Sequence, residues 1–259
     1  MELNGKIVAI VQARMGSTRL PGKIMKSIQG MPMLWHIVNR LKSVDKIDEI
    51  IIATSDLLSD DPVQTMAENY DIAYFRGSEM DVLKRFFDAA EMIDAQHVIR
   101  ITGDCPLVDP PTIKKLIDLY FDGGYDFYGV ACGAGVAKEN NINRYPDGLD
   151  AEIFSFNVLK EAHLEAVNDL HRENVTPFIW QNSKMYKLGF LYSETDYSDL
   201  RLTVDKKDDF EFVNWIYDML YPNNSHFDLQ DILVLLGNNP DAMTNKHLIG
   251  QEGYEEFWN

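Results

Sequence analysis

Short apolar runs and helix-spaced apolar positions alternate along the first half of the chain. Ile7-Val8-Ala9-Ile10-Val11 is continuous and rich in β-branched residues, the pattern of a strand covered on both faces. Pro32 then opens a helix whose apolar positions Leu34, Ile37, Val38 and Leu41 form one stripe. Strands over 49–53, 72–75 and 98–102 alternate with helices over 62–70, 81–93 and 111–121. In the 81–93 segment Val82, Phe86, Ala89 and Ile93 keep helical register. This β-α-β-α order predicts an α/β fold: a mostly parallel central sheet with helices on both faces.

The second half is less regular. Residues 131–150 are rich in Gly, Asn and Asp and read as a loop or excursion. Beyond them the pattern predicts a strand over 151–154, helices over 157–167 and 172–182, strands over 186–192 and 201–204, and helices over 208–220 and 228–236. Trp215, Tyr217 and Tyr221 read as helix packing; Tyr254, Phe257 and Trp258 as cover for a core or a partner chain. With no internal repeat, low-complexity tract or long linker, the 259 residues read as one domain, with an acceptor-binding or dimerisation excursion at 131–195.

Charge narrows the partners. Against 24 Lys+Arg stand 41 Asp+Glu, a formal charge of −17. Nucleic-acid and anionic-membrane surfaces need basic side chains to meet phosphates, so both are excluded as expected partners. A small anionic ligand requires a local basic island instead. Cys105 and Cys132 are the only cysteines, too few for a disulfide framework or a four-cysteine zinc site. The opening residues are too short in apolar content for a signal segment, and no run approaches the ~18 apolar residues of a membrane span. The expected compartment is the cytoplasm.

The basic island exists. Gln12-Ala13-Arg14-Met15-Gly16-Ser17-Thr18-Arg19-Leu20-Pro21-Gly22-Lys23 follows the first strand, and residues 1–26 hold five Lys/Arg and one acid. In an open α/β sheet ligands bind at the carboxyl ends of strands, where this loop lies. Gly16 lets backbone amides approach an anion, while Arg14, Arg19 and Lys23 bring three cations. Five residues, not four, separate Gly16 from Gly22, and Ile24 follows Lys23, so this is not a Walker A loop; nor is it a dinucleotide fingerprint.

Three further stretches carry chemistry. Arg100-Ile101-Thr102-Gly103-Asp104-Cys105-Pro106 ends a strand in a carboxylate suited to Mg²⁺ against a phosphate, or simply in a turn. Arg201-Leu202-Thr203-Val204-Asp205 ends another apolar run in Asp; Asp205 either converges with Asp104 on one cation or caps the next helix. Tyr145-Pro146-Asp147-Gly148-Leu149-Asp150-Ala151-Glu152 places three acids in six residues, fit for sugar hydroxyls or for a solvated turn. His171-Arg172-Glu173 joins that pocket or forms a salt-bridged helix start. Thr54-Ser55-Asp56 and Arg76-Gly77-Ser78, at other strand ends, are candidates for the nucleobase edge. The six histidines show no zinc-protease spacing, and no G-x-S-x-G elbow occurs.

Ala13-Arg14-x-Gly16-Ser17-x-Arg19-Leu20-Pro21-x-Lys23, followed by Gly103-Asp104-x-Pro106, resembles the cytidylyltransferases that activate acidic sugars, the CMP-N-acylneuraminate and CMP-Kdo synthetases. The nearest branch is the one named for spore-coat polysaccharide biosynthesis, which the Arg-Leu-Thr-Val-Asp and Tyr-Pro-Asp-Gly-Leu-Asp-x-Glu stretches also fit. The resemblance implies a nucleotide-diphosphosugar-transferase fold and a homodimer. It implies CTP as donor and an acidic small molecule as acceptor. Arg14, Ser17, Arg19 and Lys23 would hold the triphosphate, with Ala13, Gly16, Thr54, Ser55, Asp56, Gly77 and Thr102 around the nucleotide. Asp104 and Asp205 would be Mg²⁺ ligands and, with Arg14, Arg19 and Lys23, the catalytic set. Tyr145, Asp147, Asp150, Glu152, His171 and Arg172 would meet the acceptor. The branch usually has His after its Arg-Glu pair, whereas Asn174 follows Glu173 here, so the acceptor stays open. Two other readings are a glycosyltransferase, although the Asp-x-Asp metal motif common in that class is absent, and a non-catalytic nucleotide-binding protein.

Overall fold

A computed structural model describes residues 5–132 and 142–249. Residues 133–141 of the stretch 131–150 that reads as a loop, and all of Tyr254, Phe257 and Trp258, lie outside the described residues.

The chain runs β1 (Ile7–Gln12), a small hairpin of β2 (Ser27–Ile28) and β3 (Met31–Pro32), α1 (Met33–Leu41), β4 (Glu49–Ser55), α2 (Asp61–Asn69), β5 (Ala73–Gly77), α3 (Val82–Met92), β6 (His97–Thr102) and α4 (Pro110–Gly123). It continues through β7 (Phe127–Val130), β8 (Ala151–Ser155), α5 (Phe156–Glu165), α6 (Asp169–Asn174), α7 (Pro177–Gln181), β9 (Leu188–Leu191), α8 (Lys207–Leu220) and α9 (Leu229–Asn238). Seven strands form one sheet in the order β5-β4-β1-β6-β8-β7-β9. All its pairings are parallel except those of β8, which runs antiparallel to both β6 and β7.

The continuous apolar run of β1 is explained by its place between β4 and β6, with helices on both faces. Ile7, Ala9 and Val11 face one core with α1, α2, α4, α8 and α9; Val8 and Ile10 face the other with α3, α5 and α7. Tyr217 is fully buried and Trp215 stacks on Phe212, so these α8 aromatics do pack the core. No helix of the described residues is long and apolar enough to cross a membrane.

Three elements differ from the pattern-based expectation. The helix expected over 172–182 is broken into α6 and α7, because Val175 turns to φ 71° and Pro177, lacking an N–H, starts a new helix. Residues 201–204 are not a sheet strand: they thread between two turns, and only Arg201 bridges to Asp147. Strand β7 is only four residues long and contains Gly129, so it leaves little alternation to read.

Candidate active site

The carboxyl ends of β1, β4, β5 and β6 share one edge of the sheet, and antiparallel β8 begins there, with Ala151 opposite Ile101. The loops after these ends and the turn before β8 therefore meet. Gly103 permits a close approach: a Cβ there would lie 2.7 Å from Gln12 O, and its N–H donates to that oxygen at 2.8 Å. The backbone at the start of the basic loop after β1 is thus docked against the Asp104 turn.

Residues 200–205 complete the assembly. Leu202 N donates to Asp147 O at 2.7 Å and Val204 N to Asp104 O at 2.8 Å, so this ribbon is held between the two acidic turns. Gly148, at φ 102°, admits it: a Cβ would sit 2.3 Å from Thr203 N. Asp205 is thereby brought beside Asp104, 101 residues earlier in the chain by number.

Lys23 stands between them. Its Nζ donates to Asp104 Oδ2 at 3.1 Å, Asp205 Oδ1 at 2.9 Å and Val204 O at 2.8 Å. Arg19 Nη2 donates to the same Asp205 Oδ1 at 2.8 Å, and Arg201 Nη2 to Asp205 Oδ2 at 2.9 Å. Arg201 also binds Asp147 at 2.7 Å and the fully buried Asp209 at 3.0 Å. Burial opposes the charge on Lys23, but Asp104 and Asp205 outweigh it and raise its pKa. Burial likewise opposes ionisation of Asp104, and Lys23 together with the Thr102 hydroxyl outweighs it, so its pKa is lowered. Asp205 does not cap α8; Asp209 does that work from inside the helix, accepting from Asp205 N at 3.0 Å and Lys206 N at 2.9 Å.

The Asp147–Asp150 turn is electrostatically unlike its neighbours. Burial, then the Asp150 charge, push Asp147 up to about 7 against the pull of Arg201. Burial pushes Asp150 up to about 6, although Gly148 N donates to it at 3.0 Å. Asp147 is close enough to Asp104 and Asp205, and Asp150 to Asp104, for those charges to act on them.

On the other side, a buried carboxylate that the pattern of the sequence did not single out anchors the basic loop. Asp60 Oδ1 accepts from Met15 N at 2.8 Å; its Oδ2 accepts from Ser55 N at 3.1 Å, Ser55 Oγ at 2.6 Å and Thr54 Oγ1 at 3.0 Å. The hydroxyls of Thr54 and Ser55 are thus turned inward to Asp60, both residues being buried. Asp56 and Gly77 join through a backbone hydrogen bond of 2.9 Å. Ala13 is buried in the core, and Ser17 Oγ accepts from Leu20 N at 3.3 Å, closing the basic loop on itself. Arg14 Nη1 lies 3.7 Å from Glu79 Oε1. Arg85, also buried, donates to Ser78 O at 2.8 Å; burial first, then the charge of Arg14, lower its pKa to about 10.

The remaining acceptor-side candidates are engaged with the protein. Glu152 is buried in an ion pair with Arg100 at 2.7 Å and accepts from Thr176 Oγ1 at 2.9 Å. Arg172 clasps Asp81 with two hydrogen bonds, 2.9 and 2.6 Å, and donates to His163 O at 2.8 Å, tying α6 to the start of α3. His171 meets Gln181 at 2.8 Å, and Tyr145 packs into the core. The structure therefore gathers Arg19, Lys23, Asp104, Asp147, Asp150 and Asp205, and sets Glu152, His171 and Arg172 in other contacts. Asp60, Asp209 and Glu79 were legible only as ordinary loop or helix-start acids.

A basic loop and two converging carboxylates at the carboxyl edge of this sheet define a nucleotidyltransferase-type α/β protein. Residues 8–221 match the family described as Cytidylyltransferase, and the chain belongs to that family. It is 32% identical over 248 residues to the Spore coat polysaccharide biosynthesis protein SpsF of Bacillus subtilis strain 168, covering 93% of this chain and 98% of that one. A solved cytidylyltransferase from Leptospira borgpetersenii serovar Hardjo-bovis superimposes with a TM-score of 0.83 at 29% identity, covering 93% of this chain and 97% of the other. CMP:2-keto-3-deoxy-manno-octonic acid synthetase, solved with CTP, shares the fold at a TM-score of 0.60 and 18% identity, over 82% of this chain and 98% of the other.

Proposed function

We propose that the protein transfers a cytidylyl group from CTP to an acidic sugar or related acceptor, releasing pyrophosphate. The observation that carries this reading is the convergence of Lys23 and Arg19 on Asp205, with Asp104 against the same ammonium. In this reaction an acceptor oxygen bonds to the α-phosphorus while the bond to the β-phosphate bridge breaks. Positioning and charge neutralisation suffice for such a transfer. Arg14, Arg19 and Lys23 would hold the β- and γ-phosphates and stabilise the charge that grows on the leaving pyrophosphate. Asp147 and Asp150 would accept hydrogen bonds from acceptor hydroxyls.

Asp104 and Asp205 suit a magnesium ion. Both already converge on one cationic centre, the Lys23 ammonium, and Mg²⁺ typically takes one or two carboxylates with the rest from phosphate and water. When bound, the ion would supply neutralisation of phosphate charge and acidify an attacking oxygen. Membership in the family supports a cytosine nucleotide as donor, and the name of the Bacillus relative supports a role in surface polysaccharide synthesis. A homodimer and a cytoplasmic location belong to the same reading.

The test is a thermal-shift panel of CTP, UTP, GTP and ATP with and without Mg²⁺, followed by a pyrophosphate-release assay on candidate acids. Ligand at about 100 times its Kd adds roughly 2.7 kcal/mol, on the order of 5–10 °C for a chain of this size. Selective stabilisation by CTP, lost in Arg19→Ala, is expected. Stabilisation by a nucleoside diphosphate and by no triphosphate would favour a glycosyltransferase instead.

A further inference from the structure

Glu79 is an acid in an unexpected place. It comes from the turn after β5, yet its carboxylate lies over the basic loop after β1. Its Oε1 is 3.3 Å from the position a Cβ on Gly16 would take, against the side of this glycine that the missing side chain leaves free. The same oxygen is 3.7 Å from Arg14 Nη1. The turn that carries it is fixed: Arg85 Nη1 holds Ser78 O at 2.8 Å, and Asp81 N donates to Ser78 Oγ at 3.0 Å. The Glu79 side chain itself is one-third exposed.

The surroundings explain why a carboxylate rests there. Arg14 and Arg85 are close enough for the Arg14 charge to act on Arg85, while Glu79 acts on it in the opposite sense. Arg85 is buried, and its Nε has no hydrogen-bond partner among the described residues. A carboxylate beside this guanidinium pair offsets their repulsion. The Arg14–Glu79 contact is nevertheless open, with side-chain exposures of 43% and 33%, so it is weak and exchangeable. An incoming polyphosphate carries several negative charges and can replace it.

We propose that Glu79 is an internal anion of the phosphate loop: it occupies the Gly16–Arg14 face in the free protein, is displaced by an incoming polyphosphate, and returns to weaken retention of the pyrophosphate product. The inference rests on the reading of this loop as the triphosphate site. Glu79 would act as a tuning residue, setting how tightly the loop holds nucleotide and product without supplying attraction of its own.

Titration calorimetry with inorganic pyrophosphate, tripolyphosphate and CTP, at fixed ionic strength and with and without Mg²⁺, tests it. The variants are Glu79→Gln, Arg14→Ala, the double variant, and Glu68→Gln on the exposed face of α2 as a charge-matched control. Glu79→Gln is expected to lower the Kd for pyrophosphate and tripolyphosphate about two- to fivefold, the range expected for removing a weak competing ion pair. Glu68→Gln should not, and Glu79→Gln should add no gain when Arg14 is already Ala. Unchanged or weaker polyphosphate binding in Glu79→Gln would overturn the proposal. So would an equal gain in Glu68→Gln, a gain that persists without Arg14, or a loss seen only with Mg²⁺, which would make Glu79 a cation contact. Absence of pyrophosphate binding in every variant would overturn it too. The expected pyrophosphate result with no CTP binding would leave the internal anion standing and remove the cytidylyltransferase assignment of this loop.

Discussion

The Lys23 ammonium donates to Asp205 Oδ1 at 2.9 Å, joining residues 182 positions apart. With Asp104 Oδ2 at 3.1 Å from the same nitrogen, one buried cation keeps two carboxylates from repelling each other. Lys23→Met should leave Asp104 without its cation, while Asp205 keeps Arg19 and Arg201, and destabilise the protein by about 3 kcal/mol, the low end of the usual loss on removing one partner of a buried ion pair. If the two carboxylates share a single cation position, millimolar Mg²⁺ should recover part of that loss in the variant. It should add less to the wild type, where the ammonium already sits between them. Urea unfolding with and without MgCl₂ measures both; an equal Mg²⁺ effect on the two proteins would contradict a shared position.

Asp60 links the phosphate side to the end of β4 through Met15 N, Ser55 and Thr54. Burial works against its charge, but the four donated hydrogen bonds outweigh it and lower its pKa. Asp60→Asn should cost about 1–3 kcal/mol, because an amide cannot accept from all four donors. Loosening Met15 should also raise KM for CTP more than it lowers kcat. The sign with pH follows from the depressed carboxyl. Its contribution is present above the unfolded pKa and is lost as pH falls through the folded one, so wild type and variant should converge in stability under acid. Steady-state kinetics and urea melts at pH 7 and pH 3 check the two halves.

The alternating elements of the first half were readable because each strand there is a continuous apolar run and each helix keeps its stripe. The basic loop was readable because five cations in 26 residues stand out in a chain of net charge −17. What pattern could not convey was partner choice. Glu152, in a sugar-binding-like stretch, closes on Arg100, and Arg172 closes on Asp81, since strand register and helix packing decide which charges meet. Asp60 looked like one acid among several near Asp61, and only the fold aims it at Met15. Residues 201–204 have strand composition, yet their neighbours are two turns, so they form a ribbon without a ladder.

Arg172 provides a direct test of that distinction. Its two hydrogen bonds to Asp81 and one to His163 O make it a brace between α6 and α3. Arg172→Ala should lower stability by about 1–2 kcal/mol, for a partly exposed but well-formed pair, and leave KM for CTP and for the acceptor within about twofold of wild type. A large rise in acceptor KM with unchanged stability would return Arg172 to the acceptor pocket.

Asp150 bears the opposite relation to stability. Its carboxyl is raised to about 6 from an ordinary 3.8, first by burial and further by Asp104 and Glu152, against the hydrogen bond from Gly148. Because the folded state holds this proton more tightly than the unfolded chain, its contribution to stability falls as pH rises from about 4 to about 6, and the cost persists above that window. Asp150→Asn keeps an oxygen for Gly148 N and removes the titration. At pH 3 the carboxyl is largely protonated in both the folded and the unfolded chain, and the two proteins should be close in stability. At pH 8 the variant should be the more stable by on the order of 1–2 kcal/mol, reduced from the full shift because the side chain is partly exposed. Urea unfolding at the two pH values, in the absence of nucleotide and Mg²⁺, measures the gap. A variant less stable than wild type at pH 8 would mean that the charge on Asp150 is compensated, and that the turn before β8 is not under electrostatic strain.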